Sequence, residues 1–391
     1  MAELKTDVLV IGGGLAGCAI AYFLAREGVE VTVVERFDLN SQASGSNAGS
    51  LHLQIPHEPF VLKGEAWARA FAPTLPLMLE SVRLWRELGA ELGADLEVAI
   101  TGGILVAASA AQMRDVARKA AIERAHGVRI ELLGAGELRA LAPYLSERMI
   151  GGAFCPDEGK ASPLKAAPAF VAAARRLGAR VLTFTAVTGI SRSAPGYVVH
   201  TDAGDVRARR IVNCAGADAG RIGAMLGLDL PIEGHPIQVS VTEPLAPLVT
   251  HLLYSAGEKL TLKQLRNGTV LIGGGWAAAR RASDGWLAVA RRSLGANLRT
   301  ALEVVPALHG ARVVRTWPAL VNGTEDWQPI LGEAPGRPGF FLNVFPWMGF
   351  TAGPLAALTV AELVLGRSPS FDLRAFSPLR RRPPLSGGGS C

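Results

Sequence analysis

Apolar residues crowd the N-terminal stretch TDVLVIGGGLAGCAIAYFLAREGVEVTVVERF in bursts of different period. Val8–Ile11 is a short β-branched run, the pattern of a strand buried on both faces of a parallel sheet. From Leu15 to Arg26 the apolar spacing is helical, and Gly28 stands where a helix stops. Val29, Val31, Val33 and Val34 predict a second strand, with Glu35 at its end, 23 residues after Gly12.

The same reading continues along the chain. Residues 74–126 carry amphipathic helices around a short strand at 102–109. A loop with Pro156 and Gly159 leads into a helix from about Ser162 to Arg176, then Gly178 and a strand ending near Val187. The segment GYVVHTDAGDVRARRIVNCAGA reads as two strands, the second buried at Ile211–Cys214 and ending at Ala215-Gly216. Between Pro231 and Arg280 the texture alternates. Lys259, Thr261 and Lys263 oppose Leu260, Leu262 and Gln264, which predicts a half-exposed antiparallel sheet. FFLNVFPWMGFTAGP predicts a strand and then a glycine-flanked helix start.

Gly12, Gly14 and Gly17 form G-x-G-x-x-G between the first strand and the first helix. Gly12 permits the tight turn, Gly14 lets the backbone approach a pyrophosphate, and Gly17 lets the helix sit close to the strand. The helix N-terminus offers partial positive charge to phosphates. Glu35 suits ribose hydroxyls and repels a 2′-phosphate, so the site is built for an ADP-bearing cofactor other than NADP. The small-residue loop ASGSNAGSLH, residues 43–52, fits close approach to a bulky planar cofactor, with Ser44 and Asn47 serving its polar atoms. A looser G-x-G-x-x-A at Gly273, Gly275 and Ala278 lacks a following valine-rich strand with an acid. It reads as a sheet strand after the LRNG hairpin turn.

Composition narrows the class. The 391 residues are 49% hydrophobic and 19% charged, a globular balance with core for two or three domains. The net charge of +6 is spread over arginines partnered with acids along helices, and no nucleic-acid-binding pattern accompanies it. Cys18, Cys155, Cys214 and Cys391 form no C-x-x-C pair, so no zinc or iron–sulfur site is expected and no metal ligand is named. No apolar run approaches the ~20 residues of a membrane span. A cytoplasmic protein without a membrane span is the expectation.

ERFDLNSQASGSNAGSLHL resembles the second cofactor motif of the D-amino-acid oxidase/glycine oxidase/sarcosine oxidase superfamily of flavoproteins. The likeness runs from about residue 5 to 378. It implies an α/β fold (α+β overall): a Rossmann-like FAD-binding domain of the glutathione-reductase type with an inserted antiparallel-sheet substrate domain. The expected boundaries are 1–90, 150–225 and 325–378 for FAD, and 91–149 and 226–324 for substrate, with a disordered tail from 379 to 391. The cofactor residues so implied are Gly12, Gly14, Leu15, Ala16, Gly17, Glu35, Arg36, Ser44, Gly45, Asn47, Ala48, Gly49, Ser50 and Leu51. Val187, Ala215, Gly216, Met348, Gly349, Phe350 and Thr351 complete the set. Ala319 stands where some sarcosine oxidases tether flavin through cysteine, so the FAD is expected to be non-covalent.

The resemblance also implies chemistry: an amine gives hydride to flavin N5, and the resulting imine is hydrolysed. Arginines that hold the substrate carboxylate in such oxidases are missing here. LVNGTED, Trp347-Met348 and Gln264 stand at their places. His52 remains as the catalytic candidate, with Gln238, Lys263, Gln264, Arg315 and Trp347 toward substrate, and Arg266 and His235 as further possibilities. LTLKQ, GTVLIGGGW and SNAGSLHLQ look most like FAD-carrying β subunits of heteromeric opine oxidases and D-hydroxyproline dehydrogenases. That likeness implies a carboxylated secondary amine as substrate. It also implies partner subunits carrying an iron–sulfur cluster and a second flavin or nucleotide. An oxygen-using amino-acid oxidase and a non-catalytic FAD-binding subunit are the alternatives.

Overall fold

The computed structural model describes residues 4–380. Two eight-stranded sheets carry the molecule. In the first, Leu4–Ile11 lies between Gly204–Asn213 and Val31–Val34 and runs parallel to both. Arg180–Leu182 and Phe340–Val344 extend the parallel order, and Ile330–Glu333 closes one edge antiparallel. The strands are buried at Val8–Ile11, Val31–Val34 and Ile211–Asn213, where both faces are covered. On one face pack the helices Leu15–Arg26, Pro163–Arg176 and Gly349–Val364, with Thr74–Leu92 against the last. On the other lie the hairpin Val187–Ser193/Gly196–Thr201 and the helix Ala219–Ala224.

The second sheet runs, by neighbour, Val313–Gly323, Glu233–Thr242, Val270–Gly273, Thr261–Gln264, Leu252–Ser255, Gly103–Ala107, Gly151–Cys155 and Glu131–Gly134. One face of it packs on the helix Arg291–Val304, and Leu105 and Tyr254 on the other join the core of the first sheet. With both faces covered, the half-exposed pattern expected at 259–264 holds through Leu262 and breaks at Lys263, which is buried.

The first helix has the bounds its spacing predicts. Three local expectations change. The strand expected to end near Val187 stops at Leu182, because Phe184 takes a left-handed turn (φ 51°) and Val187 opens the next strand. Gly151–Cys155, expected in the FAD-binding part, pairs with Gly103–Ala107 in the second sheet. Arg380, expected in a disordered tail, is ion-paired to Asp326 at 3.0 Å with both side chains about 10% exposed. Residues 381–391 lie outside those described.

Candidate active site

A cleft opens where the first sheet's parallel strands end, with about 1420 Å³ of empty space including its mouth. Gly12 through Ala16, Glu35, Arg36, Ser44, Asn47, Val187, Ala215, Gly216, Trp347, Gly349 and Phe350 all line it, so segments far apart in sequence converge.

The glycines have separable reasons. Gly12 has φ +112°, and a Cβ there would stand 2.4 Å from the Cys214 carbonyl oxygen. A Cβ on Gly17 would lie 1.9 Å from the Gly12 carbonyl oxygen. Both therefore shape the turn itself. Gly14, the N-cap of the helix, would meet only the Ser44 hydroxyl, at 2.8 Å, so its bareness serves the cleft. Glu35 accepts from the Gly13 amide at 2.7 Å and the Phe37 amide at 2.9 Å, which fixes the carboxylate at the cleft wall. Ser44 Oγ accepts from the Leu15 amide at 2.9 Å.

The small-residue loop folds into a helical turn, Ala43–Ser46. Asn47 donates to the carbonyls of Ala43 and Ser44 and accepts from the Gly49 amide, so its side chain is spent on the loop. A Cβ on Gly45 would meet the Asn40 carbonyl oxygen at 1.9 Å, and one on Gly49 the Ala161 oxygen at 2.2 Å. Ser50 and Leu51 are buried in a two-residue ladder with Gly159–Lys160. Gly45, Ala48, Gly49, Ser50 and Leu51 are outside the cleft lining, and Gly45 and Gly49 are bare because the neighbouring backbone is close. Met348 and Thr351 are also buried behind it. Thr351 Oγ accepts from the His52 amide at 2.9 Å and donates to the Ser50 carbonyl, tying the loop to the helix Gly349–Val364.

Sequence reasoning missed Asn40, Ser41, Gln42, Thr185, Asp218, Arg221 and Leu320–Asn322 in the lining. Asp218 and Arg221 were within reach of the motif AGADAGR that follows Cys214. Asp218 pairs with Arg36 at 2.5 Å and Arg221 at 3.6 Å. Asn40, Ser41, Gln42 and Thr185 come from loops with no local signal, and Leu320–Asn322 from the strand Val313–Gly323.

The substrate candidates divide. His52 Nδ1 lies 2.7 Å from the Tyr254 hydroxyl. Burial, reinforced by the Lys263 charge, pushes its pKa down to about 3, so the imidazole stays neutral near pH 7. Lys263 is fully buried and donates to Ser50 Oγ. Burial first, and Lys160 second, push it down to about 7. Tyr254, with a hydroxyl held protonated by burial, was not foreseen. The other candidates are corrected. Gln264 accepts from the amides of Leu248 and Val249 and donates to the carbonyls of Leu245, Ala246 and Gly268, so its amide is committed to a loop. Gln238 is likewise exchanged with the Ala290 backbone. Arg315 is exposed, its guanidinium 5.8 Å from the Trp317 ring centroid, and Arg266 pairs with Asp95 at the surface.

The residues present fit an FAD. Asn40 Oδ1 and Trp347 Nε1 belong to residues lining the cleft, are buried and have no hydrogen-bond partner among the described residues. Buried polar atoms of this kind normally have partners, and a bound ligand would supply them. Among the described residues no cluster of metal-ligating side chains occurs, and no helix is long and apolar enough to cross a membrane.

Comparison with known proteins agrees with this geometry. The family profile described as FAD dependent oxidoreductase (DAO) matches residues 7–363. The chain is 31% identical to a glycine oxidase of Geobacillus kaustophilus over 96% of this chain and 97% of that one. It is 28% identical to the opine oxidase B chain of Agrobacterium tumefaciens over 96% and 98%. Among solved structures it superposes on L-proline dehydrogenase from P. horikoshii with a TM-score of 0.84 at 25% identity, covering 96% and 97%.

Proposed function

Because the chain belongs to the DAO family of FAD-dependent oxidoreductases, we propose that it oxidises the C–N bond of an amino-acid-like secondary amine of the opine or D-imino-acid kind. We further propose that it hands the electrons to partner subunits. Bound in the cleft, FAD would supply the acceptor for a hydride from the carbon next to nitrogen; the imine left would be hydrolysed by water to a carbonyl compound and an amine.

The chain's own residues do the rest. Gly14 and the N-terminus of Leu15–Arg26 receive the pyrophosphate, Glu35 the ribose, and Gly349 and Phe350 the far end of the cofactor. The first sheet with its helices is the cofactor-binding part, and the second sheet walls the substrate. No covalent tether is proposed, since Ala319 lies on the strand Val313–Gly323.

The carrying observation is the buried group of His52, Tyr254 and Lys263 beside the loop that Thr351 ties to the cleft. An amine loses hydride only when its lone pair is free. A dry site holding a cation disfavours the ammonium form and so keeps the nitrogen neutral. Lys263 has no carboxylate partner among the described residues, and here it serves as counter-charge for the substrate's carboxylate in place of the missing arginines. Delivery to partners rests on two likenesses. One is to the opine oxidase B chain, the other to the sarcosine oxidase beta chain of Rhizobium meliloti, 27% identical over 95% of this chain. The glycine oxidase likeness favours a second reading, direct oxidation by oxygen.

Anaerobic mixing of the FAD-loaded protein with N-substituted amino acids tests both. The oxidised flavin band should bleach and return slowly with oxygen but quickly with an artificial acceptor. A fully loaded protein that never bleaches contradicts amine oxidation. Fast return with peroxide release contradicts the partner route.

A further inference from the structure

Leu53, Gln54 and Ile55, just after His52, lie outside every strand and helix, so their amides have no ladder to join. Two buried carboxylates take all three. Glu158 accepts from the Leu53 amide at 2.6 Å, the Gln54 amide at 2.8 Å and the Gln54 side chain at 3.0 Å. Glu123 accepts from the Ile55 amide at 2.6 Å and from Lys119 at 2.5 Å, and Lys119 donates in turn to Gln54. Glu158, Glu123 and Lys119 have no exposed surface, and such groups are unfavourable to bury unless paired. Gly103 clears the way, since a Cβ there would stand 1.9 Å from Glu158 Oε2.

Three N–H groups thus point at the two oxygens of Glu158, the arrangement of an acceptor-only carboxylate with about four lone-pair sites. Burial raises its pKa, and the Leu53 and Gln54 donors and the Lys119 charge oppose that rise. The remaining site falls to Tyr254. Burial first, and then the Glu158 charge, hold the Tyr254 hydroxyl protonated, and Glu158 also accepts from it. A hydroxyl has a single hydrogen. Once that hydrogen is given to Glu158, only oxygen lone pairs remain for His52 Nδ1, 2.7 Å away, so the proton in that contact belongs to Nδ1. Burial and Lys263 keep the imidazole neutral near pH 7, which leaves its other nitrogen bare. Nε2 has no partner among the described residues.

We propose that Glu158, acting through Tyr254, fixes His52 as the Nδ1–H tautomer, so that the Nε2 lone pair receives the N–H of the substrate amine. Glu158 and Tyr254 are positioning residues. The proposal rests on the amine-oxidising reading above and deepens it. A neutral secondary amine has one N–H to give, whereas a carboxylate has none, so Nε2 reads the amine and leaves the carboxylate to Lys263. The opposite tautomer would present an N–H at the same place and attract the carboxylate instead. With a pKa of about 3, the ring orients the amine without taking its proton.

Nitrogen NMR of the FAD-loaded protein, isotope-labelled in its histidine rings, reads the tautomer near pH 7, with His52→Gln identifying the signals. In the unaltered protein, Nδ1 of His52 should fall in the protonated range and Nε2 in the unprotonated range. Glu158→Gln puts an amide where the free lone pair was, so Tyr254 turns its hydrogen to Nδ1 and the two signals exchange ranges. Tyr254→Phe leaves Glu158 with its backbone partners and should likewise lose the fixed Nδ1 proton; it decides the matter if Glu158→Gln does not fold. In Glu158→Gln the concentration of N-substituted amino acid that half-saturates anaerobic flavin bleaching should rise at least tenfold, with flavin absorbance kept. An Nε2–H or doubly protonated ring in the unaltered protein, or ranges unchanged in both variants, overturns the proposal. Exchanged ranges with unchanged half-saturation overturn the assignment of Nε2 to the amine. If no amine bleaches the flavin, the oxidation reading has failed, and the nitrogen signals still decide the tautomer.

Discussion

The two ends of the site are built on different principles. At the cofactor end, one continuous stretch from Val8 to Glu35 supplies the strand, the turn, the helix start and the acid, and Gly12 and Gly17 are forced by backbone contacts within a few residues or one strand away. On the side proposed for substrate, Trp347 lines the cleft while His52, Tyr254, Lys263 and Trp327 lie outside its lining; the five come from separate segments, and each is held by side chains distant in sequence. A site made by local backbone geometry tolerates little change anywhere in its motif. A site made by convergent side chains can be re-specified one residue at a time while the cofactor end stays as it is.

The sharpest way to break that contrast is at the glycines. In Gly17→Val the new side chain meets the Gly12 carbonyl, which cannot retreat without opening the first turn. The variant should lose roughly 3–5 kcal/mol, the range of severe core disruptions, and purify poorly and colourless. Gly14→Val faces only a serine hydroxyl, so it should fold with a melting temperature near that of the flavin-free protein yet fail to retain FAD. If both variants fold and bind flavin, the local-backbone account of the cofactor end is wrong.

This contrast also explains what was legible. The Rossmann-like unit, the first helix to the residue, and the lining by Gly12, Gly14 and Glu35 follow from short-range pattern, while Val187, Ala215 and Gly349 were implied by the family resemblance. The loop 43–52 was found for the right composition, but its smallness reflects the nearby oxygens of Asn40 and Ala161 as much as any ligand. Gln238 and Gln264 looked like free polar groups on strands. Only the fold shows the backbones of Ala290 and of residues 245–249 that consume them. Tyr254 and Trp327 carry no periodic or motif signal, because what matters about them is contact between distant segments.

A smaller effect probes the far end through pH. Lys263 is pushed down to about 7 in the fold from 10.5, chiefly by burial. Above pH 7 the folded protein sheds this proton while the unfolded chain keeps it, so the unfolded state binds more protons and stability rises with pH. Denaturant unfolding of the holoprotein should show a gain between pH 7 and 9.5. Lys263→Met should flatten most of it, leaving the part due to Lys160, which burial also lowers. Tyr254, raised by burial, stays protonated in the fold across that range. Equal slopes in the two proteins would mean that Lys263 reaches water or an unseen anion, and would remove it as a counter-charge for substrate.

The smallest expected effect belongs to Arg315, one of the cations the sequence offered toward the substrate. Its neighbour Trp317 is anchored, with the indole N–H donating to the Ser46 carbonyl at 2.8 Å, which fixes the strand against the small-residue loop. Arg315 itself is exposed and rests near the Trp317 ring, a contact worth about 0.5–1 kcal/mol at most in water. Arg315→Ala should therefore shift unfolding by no more than about that amount and leave KM for any oxidised amine unchanged. A tenfold rise in KM, with flavin content intact, would show that the substrate reaches beyond the cleft to the sheet edge. The substrate end would then be an extended charged surface rather than a closed buried one, and the division between the two ends drawn above would have to be redrawn around Arg315.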